Sequence, residues 1–170
     1  GNTSFSILKG SGLKPGQLFF ECGYLIQASG KANMQLSRFL PAISKRFLLT
    51  ETGVDVGAKL TEKLVKKFRG SAPKHAAVDV LKVKLPLIKQ LMKRADDLMK
   101  NAMPQLIEES SLKVSEKLEE EIKRLKNLSE NNAQVRPEEI EHLKQGLQQS
   151  LKTIKETMPQ LDSIRVLVTM

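Results

Sequence analysis

The residues of this 170-residue sequence that could carry chemistry are two histidines, one cysteine and a run of three glutamates. His142 has only a crude set of acidic neighbours at helical spacing, Glu138 and Glu139. Solvated helix positions are expected for both His75 and His142 rather than a metal or catalytic role. Cys22 lies among apolar strand residues, which favours a small buried side chain over a reactive thiol. In Glu119-Glu120-Glu121, consecutive helix residues point in different directions, so their carboxylates do not converge on one ligand. We therefore predict no catalytic, cofactor-binding or metal-binding residue.

Sequence motifs of common active sites are also missing. The sequence contains no GxxxxGK[ST], HExxH, CxxC or GxSxG pattern. Gly10-Ser11-Gly12 is a fragment of a glycine-rich loop, but no helix follows it directly, so a turn is expected rather than a phosphate site. One cysteine excludes an internal disulfide and favours a cytosolic compartment. The chain is therefore predicted not to be an enzyme by itself.

Basic residues are concentrated between Lys59 and Lys100, and the whole chain carries a formal charge of +9. This stretch could follow an RNA or DNA backbone, meet an acidic protein surface, or form an ordinary solvated helix face. Stacking aromatic residues and known nucleic-acid modules are missing nearby. The candidate contact residues for nucleic acid or a partner protein are Lys63, Lys66, Lys67, Arg69 and Lys74. No apolar run reaches the roughly 20 residues of a membrane span, so no membrane partner is predicted.

The elements that would position these residues change character near residue 58. Residues 1–57 read mainly as β structure, punctuated by Gly10-Ser11-Gly12, Pro15-Gly16 and Thr52-Gly53, with a break or bulge near Gly23. Short connections favour antiparallel pairing. The predicted strands are Thr3–Leu8, Gln17–Ala28, a third from Met34 to Leu40 that Pro41 stops, and Lys45–Thr50, followed by a brief Val54–Val56 segment.

Residues 58–160 have helical periodicity. Apolar residues from Val78 to Leu106 alternate spacings of three and four, as in a heptad seam, and predict a long helix. Pro86 and Pro104 interrupt this seam, so kinks or breaks are expected there. Partial alternation over Val78–Leu85 leaves a strand as a competing interpretation. A return helix is predicted to begin at Pro137 and to present a matching seam.

The last residues, 161–170, predict a strand that returns to the sheet. Two helices with complementary seams pack most simply as an antiparallel hairpin, which brings Ile164–Thr169 back beside the first strands. The predicted fold class is therefore α+β, with a small antiparallel sheet of N-terminal strands plus the C-terminal strand and a long two-helix antiparallel hairpin. We expect a single domain over residues 1–170, from the C-terminal end of a longer protein.

In collinear order, several segments resemble the C-terminal region of the RapA-like family of RNA-polymerase-associated ATPases. No segment is distinctive alone, but their order and spacing hold over almost the whole chain. They are Leu8-Lys9 with the Gly/Pro loop and strand Leu18–Ala28 that follow, then Leu36–Pro41, Arg46–Leu49, Glu116–Leu118 and Leu161–Val168. Pro86 and Pro104 depart from the long helix expected of the family.

The resemblance implies a function that the residues alone do not show. RapA-like proteins are helicase-like ATPases of the Swi/Snf type that bind RNA polymerase and promote its release and recycling. This segment is then expected to be a non-catalytic binding or regulatory module, with the ATP, magnesium and DNA-binding functions of the parent located upstream. Expected partners are bacterial RNA polymerase and the parent's own ATPase domains, in the nucleoid-associated cytoplasm. Alternatives are direct RNA or DNA binding through the basic stretch, and a structural brace for the motor domains.

Overall fold

A computed structural model describes residues 2–27, 42–132 and 134–170. The predicted strand from Met34 to Leu40, with Pro41, lies outside the described residues. In chain order the elements are β1 Asn2–Leu8, β2 Leu18–Ile26, β3 Ile43–Leu49, α1 Glu62–Phe68, β4 Arg69–Gly70, α2 Lys74–Asn131, α3 Pro137–Lys155 and β5 Pro159–Thr169.

The described strands form one five-stranded sheet in the order β3-β2-β5-β1-β4. The tail strand β5 lies inside the sheet, so the predicted α+β class and the return of the C-terminus are confirmed. One detail is corrected, because the sheet is mixed rather than antiparallel: β1 and β5 pair in parallel, from Asn2 opposite Ser163 to Leu8 opposite Thr169. Short connections favour antiparallel neighbours, but about 150 residues separate β1 from β5, so that preference does not apply to them.

Two compact units divide the described chain. The first comprises the described residues up to Leu25, with Ser44–Asn101 and Gln160–Met170, and holds most of the sheet. On one face of this sheet, α1 packs through Val65 onto a buried cluster. The other buried members of that cluster are Leu8, Phe19, Leu48 and Leu167. Because side chains alternate along a strand, the neighbours of these residues point to the opposite face.

That opposite face of the sheet packs against the first part of α2. The Tyr24 hydroxyl donates to Asp96 Oδ1 of α2 at 2.5 Å, and the Tyr24 ring meets Phe47 edge to face at 6.1 Å between centroids. Arg94 of α2 donates from Nε to the carbonyl oxygen of Gly53 at 3.2 Å. Gly53 has a φ of +83°, which confirms the predicted turn at Thr52-Gly53. These contacts hold α2 against the sheet within the first unit.

Gly23 lies inside the continuous strand β2, where the sequence predicts a break or bulge. A Cβ atom at this position would lie 2.7 Å from Oγ of Ser163 in β5. Glycine therefore leaves room here for a neighbouring side chain, and a larger residue would require Ser163 to shift.

The second unit contains the described residues of 26–43 together with Ala102–Pro159. Its buried cluster joins Val114 and Leu118 of α2 to Ile154 of α3, with Ile107, Leu143 and Leu147 packed around them. The short connection between the two helices makes them antiparallel neighbours. The predicted helical hairpin is confirmed for this part of the chain.

Helix α2 runs through Pro86 and Pro104 without a break. The competing strand interpretation of Val78–Leu85 is therefore wrong. The first part of the predicted seam is exposed rather than buried, as the exposed fractions of Val78 (42%) and Leu85 (46%) show. α3 has 19 residues and α2 has 58, so the return helix is long enough to cover only about a third of its partner.

Candidate interaction surface

The short helix α1 is fixed at its start and on one face. The Thr61 side chain caps it by accepting from the backbone N–H of Leu64 at 3.3 Å, and Glu62 lies in the first turn, where the helix dipole favours an acid. Val65 is only 1% exposed and anchors the helix in the core. Lys66 and Lys67 occupy the last turn, where the dipole favours cations. The helix therefore presents its lysines to solvent from a fixed backbone.

Every one of the predicted contact residues is exposed. Lys63, Lys66 and Lys67 lie on α1, Arg69 begins β4, and Lys74 begins α2. In the part of the chain that the structure describes, salt bridges are made by other cations, and none involves these five. All five residues belong to the first unit. Their contact with a partner stays a prediction.

Beside α1 lies a cavity of about 460 Å³ that the sequence did not indicate. Sequence periodicity assigns the apolar residues of this region to the core. The structure buries Val65, packs Leu60 and Phe68 against the same cluster, and leaves Leu64 exposed at the cavity. Lys59 contributes a charged group to the lining. The apolar lining residues are Leu13, Phe19, Val56, Leu60, Leu64 and Phe68. A second cavity of about 420 Å³ shares Gln17, Phe19 and Thr50 with the first.

A buried charge network ties three neighbouring strands together. Glu21 of β2 accepts on Oε2 from Arg46 of β3, at 2.8 Å from Nε and 2.7 Å from Nη2. Its Oε1 accepts from Arg165 Nη1 of β5 at 3.0 Å. Arg46 also donates to the carbonyl oxygens of Gly57 and Leu60 at 3.2 and 3.0 Å. The sequence signal was an acidic residue on the inward side of an apolar strand, which requires a buried partner.

The two histidines and the cysteine considered for chemistry lie on different elements. His75 and His142 are exposed on helices, and Cys22 is 1% exposed. Burial, followed by the negative charge of Asp96, raises the pKa of the Cys22 thiol to about 12, so the thiol stays protonated at neutral pH. Burial and the hydrogen bond to Asp96 also raise the pKa of Tyr24. Cys22 and Tyr24 are therefore placed as structural residues of the core and not as nucleophiles.

Glu121, in the run of glutamates, pairs with Arg124 one turn further along α2. Over residues 2–27, 42–132 and 134–170, no group of three or more His, Cys, Asp or Glu side chains is placed to hold a metal ion. Within the same ranges, no helix has both the length and the apolar composition that a membrane span requires.

The sequence matches the family model described as RNA polymerase recycling family C-terminal over residues 1–169. The chain belongs to this family. The resemblance of the collinear segments is thereby confirmed over nearly the whole chain. Pro86 and Pro104 depart from the long helix expected of the family, but the long helix of this member is continuous across both.

Curated relatives of this RNA polymerase recycling family member carry the name RNA polymerase-associated protein RapA. The chain is 28% identical to the protein of Sodalis glossinidius (strain morsitans) over 168 residues, which are 99% of this chain and 17% of that protein. It is 30% identical to the protein of Stutzerimonas stutzeri (strain A1501) over 168 residues, again 99% of this chain and 18% of the relative. The chain therefore spans less than a fifth of the length of either relative.

Proposed function

We propose that this domain is a non-catalytic binding or regulatory module of a helicase-like ATPase that associates with RNA polymerase and promotes its release and recycling. The observation that carries the proposal is the family match over residues 1–169, together with relatives named as RNA polymerase-associated. In this proposal the partners are bacterial RNA polymerase and the ATPase domains of the parent, and ATP and magnesium bind upstream. The protein then acts in the cytoplasm, close to the nucleoid.

The exposed basic surface supports a binding role. Lys63, Lys66, Lys67, Arg69 and Lys74 offer cations on a short helix and its flanks, and none forms a salt bridge with another described residue. Forming a contact with an acidic partner therefore does not require breaking an internal ion pair. Complementary charge of this kind mainly accelerates association and selects partners.

A binding assay with core RNA polymerase tests the proposal. We expect the 170-residue chain to bind immobilised polymerase and to leave ATP unhydrolysed, with binding weakened when Lys63, Lys66 and Lys67 are all changed to Glu. A matched control changes Lys113, Lys117 and Lys126 of α2 to Glu. It has the same net charge as the first triple variant and should bind polymerase as well as the parent chain does. ATP hydrolysis by the purified chain, or no binding to polymerase at low salt, would contradict the proposal.

The same surface favours a second candidate function, direct binding of RNA or DNA. Cations that lie on phosphates release counterions, so affinity should fall steeply with salt, by a log–log slope of roughly 0.9 per phosphate contacted. Changing Lys66, Lys67 and Arg69 to Glu should lower both the affinity and the slope. A mobility-shift assay at low salt measures this, and an unshifted nucleic acid rejects the candidate.

A further inference from the structure

The cavity beside α1 has an apolar wall that the fold leaves open. Leu64 and Phe68 lie one helical turn apart and both line it, while Val65 points into the core. Leu64 is 37% exposed although it is a leucine on a helix with a buried face. A volume of about 460 Å³ is within the range of pockets that hold ligands and is ample for one or two large side chains.

Positive charge surrounds this opening. Lys59 lines the cavity, and the ammonium of Lys67 lies 5.3 Å from the ring centroid of Phe68, itself a lining residue. Helical spacing places Lys63 one turn before Lys67, between Leu64 and Lys66 around the surface of α1. No salt bridge between described residues engages any of these three lysines.

The nearest acids along the chain form no ion pair with these lysines. Asp55 is engaged internally, since its Oδ1 accepts from the backbone N–H groups of Leu48 at 3.1 Å and Gly57 at 2.9 Å. Glu62 lies in the first turn of α1, and helical spacing directs it to the side opposite Leu64. The cavity thus has an apolar lining, and the three lysines beside it form no ion pair with a described acid.

We infer that this cavity docks a peptide segment in which a large aliphatic or aromatic anchor is flanked by acidic residues. The anchor fills the apolar space, and the flanking carboxylates meet Lys59, Lys63 and Lys67. Interfaces commonly combine a buried anchor with a polar rim in this way. The inference goes beyond the proposed function, because it holds for any protein that supplies such a segment. A nucleic acid would use the lysines without needing the apolar wall, which makes the two occupants separable.

Titration of the ¹⁵N-labelled chain with defined probes tests the inference. The probes are a capped acidic twelve-residue peptide with Leu and Phe anchors, the same peptide with Ser at the anchor positions, and a single-stranded DNA of twelve nucleotides. We expect the anchored peptide to shift the backbone amides of Leu13, Val56, Leu60 and Phe68 saturably. The Ser peptide should bind at least about tenfold more weakly, since it lacks the group that the cavity buries.

Variants on α1 provide matched comparisons. Leu64→Ala removes part of the apolar wall at an exposed position, and Lys67→Glu reverses a rim charge; each should weaken the anchored peptide about tenfold. Lys66→Glu makes the same charge change on the side of the helix away from Leu64 and Phe68, although next to Lys63, and should weaken the anchored peptide less than Lys67→Glu does. The spectrum of each free variant shows whether the fold is retained.

Several results would overturn the inference. Equal affinity for the anchored and Ser peptides, or an equal loss in Lys66→Glu and Lys67→Glu, would reduce the effect to general electrostatics. Shifts confined to amides away from the cavity would place binding elsewhere. An absence of saturable binding at millimolar peptide would remove the docking site. Tighter binding of the DNA at the same amides would assign the surface to nucleic acid.

Discussion

Replacing Glu21 by Gln should destabilise the first unit. Among the carboxylates of the described ion pairs, this one should be the most costly to change to its amide. The glutamine side chain has nearly the same shape but carries no charge and has one acceptor atom in place of two. Arg46 and Arg165 currently share the carboxylate, one on each oxygen. In the variant, one of the two guanidinium groups faces an amide NH₂ and loses its acceptor.

The magnitude follows from these contacts. A hydrogen bond to a charged group contributes about 1.5–3 kcal/mol, and conversion of the other from a charged to a neutral acceptor costs about 1 kcal/mol. The side chains of Arg46 and Arg165 are 19% and 29% exposed, so water can replace part of what is lost. We expect a net loss of about 2–3 kcal/mol in the free energy of unfolding, below the cost of breaking a fully buried pair.

Urea unfolding followed by circular dichroism measures this loss from the shift in midpoint at constant m-value. The matched control is Glu51→Gln, which removes the charge from a pair with Lys84 at 3.9 Å in which both side chains are 43% exposed. An exposed pair of this kind contributes at most about 1 kcal/mol, so the control should unfold close to the parent chain. If Glu21→Gln and Glu51→Gln shift the midpoint equally, the network at Glu21 does not stabilise the sheet.

Three further changes test other features of the fold. Pro104→Ala should raise the free energy of unfolding by about 1–3 kcal/mol in the urea assay, because the helix regains a backbone hydrogen bond and loses a clash. Gly23→Ala should lower it by about 1 kcal/mol in the same assay, because the new Cβ lies 2.7 Å from Ser163 Oγ and forces that side chain to shift. The pKa of Cys22 is raised from 9.0 to about 12, so the folded state retains the thiol proton more strongly than the unfolded state. Stability should be unaffected by this group below about pH 9 and should fall between about pH 9 and 12, and a pH series of urea midpoints should show a shallower fall for Cys22→Ala.

Each of these has a control within the same chain. Pro137→Ala changes a proline at the first position of α3, where proline is favoured, and should give no gain. Ser163→Ala added to Gly23→Ala removes the obstructing oxygen and should recover much of the loss. Equal gains from both proline changes, no recovery in the double variant, or parallel pH profiles with and without Cys22 would each contradict the corresponding account.

Local periodicity predicted the elements more accurately than their pairing. The shift from alternating to helical spacing near residue 58 located the change from strands to helices, and Pro137 marked the first residue of α3. The strand Ile164–Thr169 was predicted because β-forming residues are dense there, although β5 begins earlier, at Pro159. The prolines in α2 predict kinks or breaks, but the helix continues without a break across both.

The candidate surface was only half visible in the sequence. The basic residues of α1 are a local feature, so composition alone located them. The cavity beside them required Leu13, Phe19 and Val56 to meet Leu64 and Phe68, and these residues come from separate parts of the chain. The spacing of Leu64 and Phe68 along the sequence is the same whether other residues cover their side of the helix or leave it exposed. Spacing alone therefore could not predict the cavity.

The amino-acid sequence by itself determined the helical and extended segments, the glycine turn at Gly53, the basic charge of α1 and membership of the family. These depend on residues close along the chain or on their collinear order. Only the tertiary structure decided that β5 pairs with β1 in parallel, that Glu21 is shared by two arginines, and that an apolar cavity opens beside α1. Each of these joins segments far apart in the chain, where the partner is selected by packing and by the need to pair buried charge rather than by local spacing.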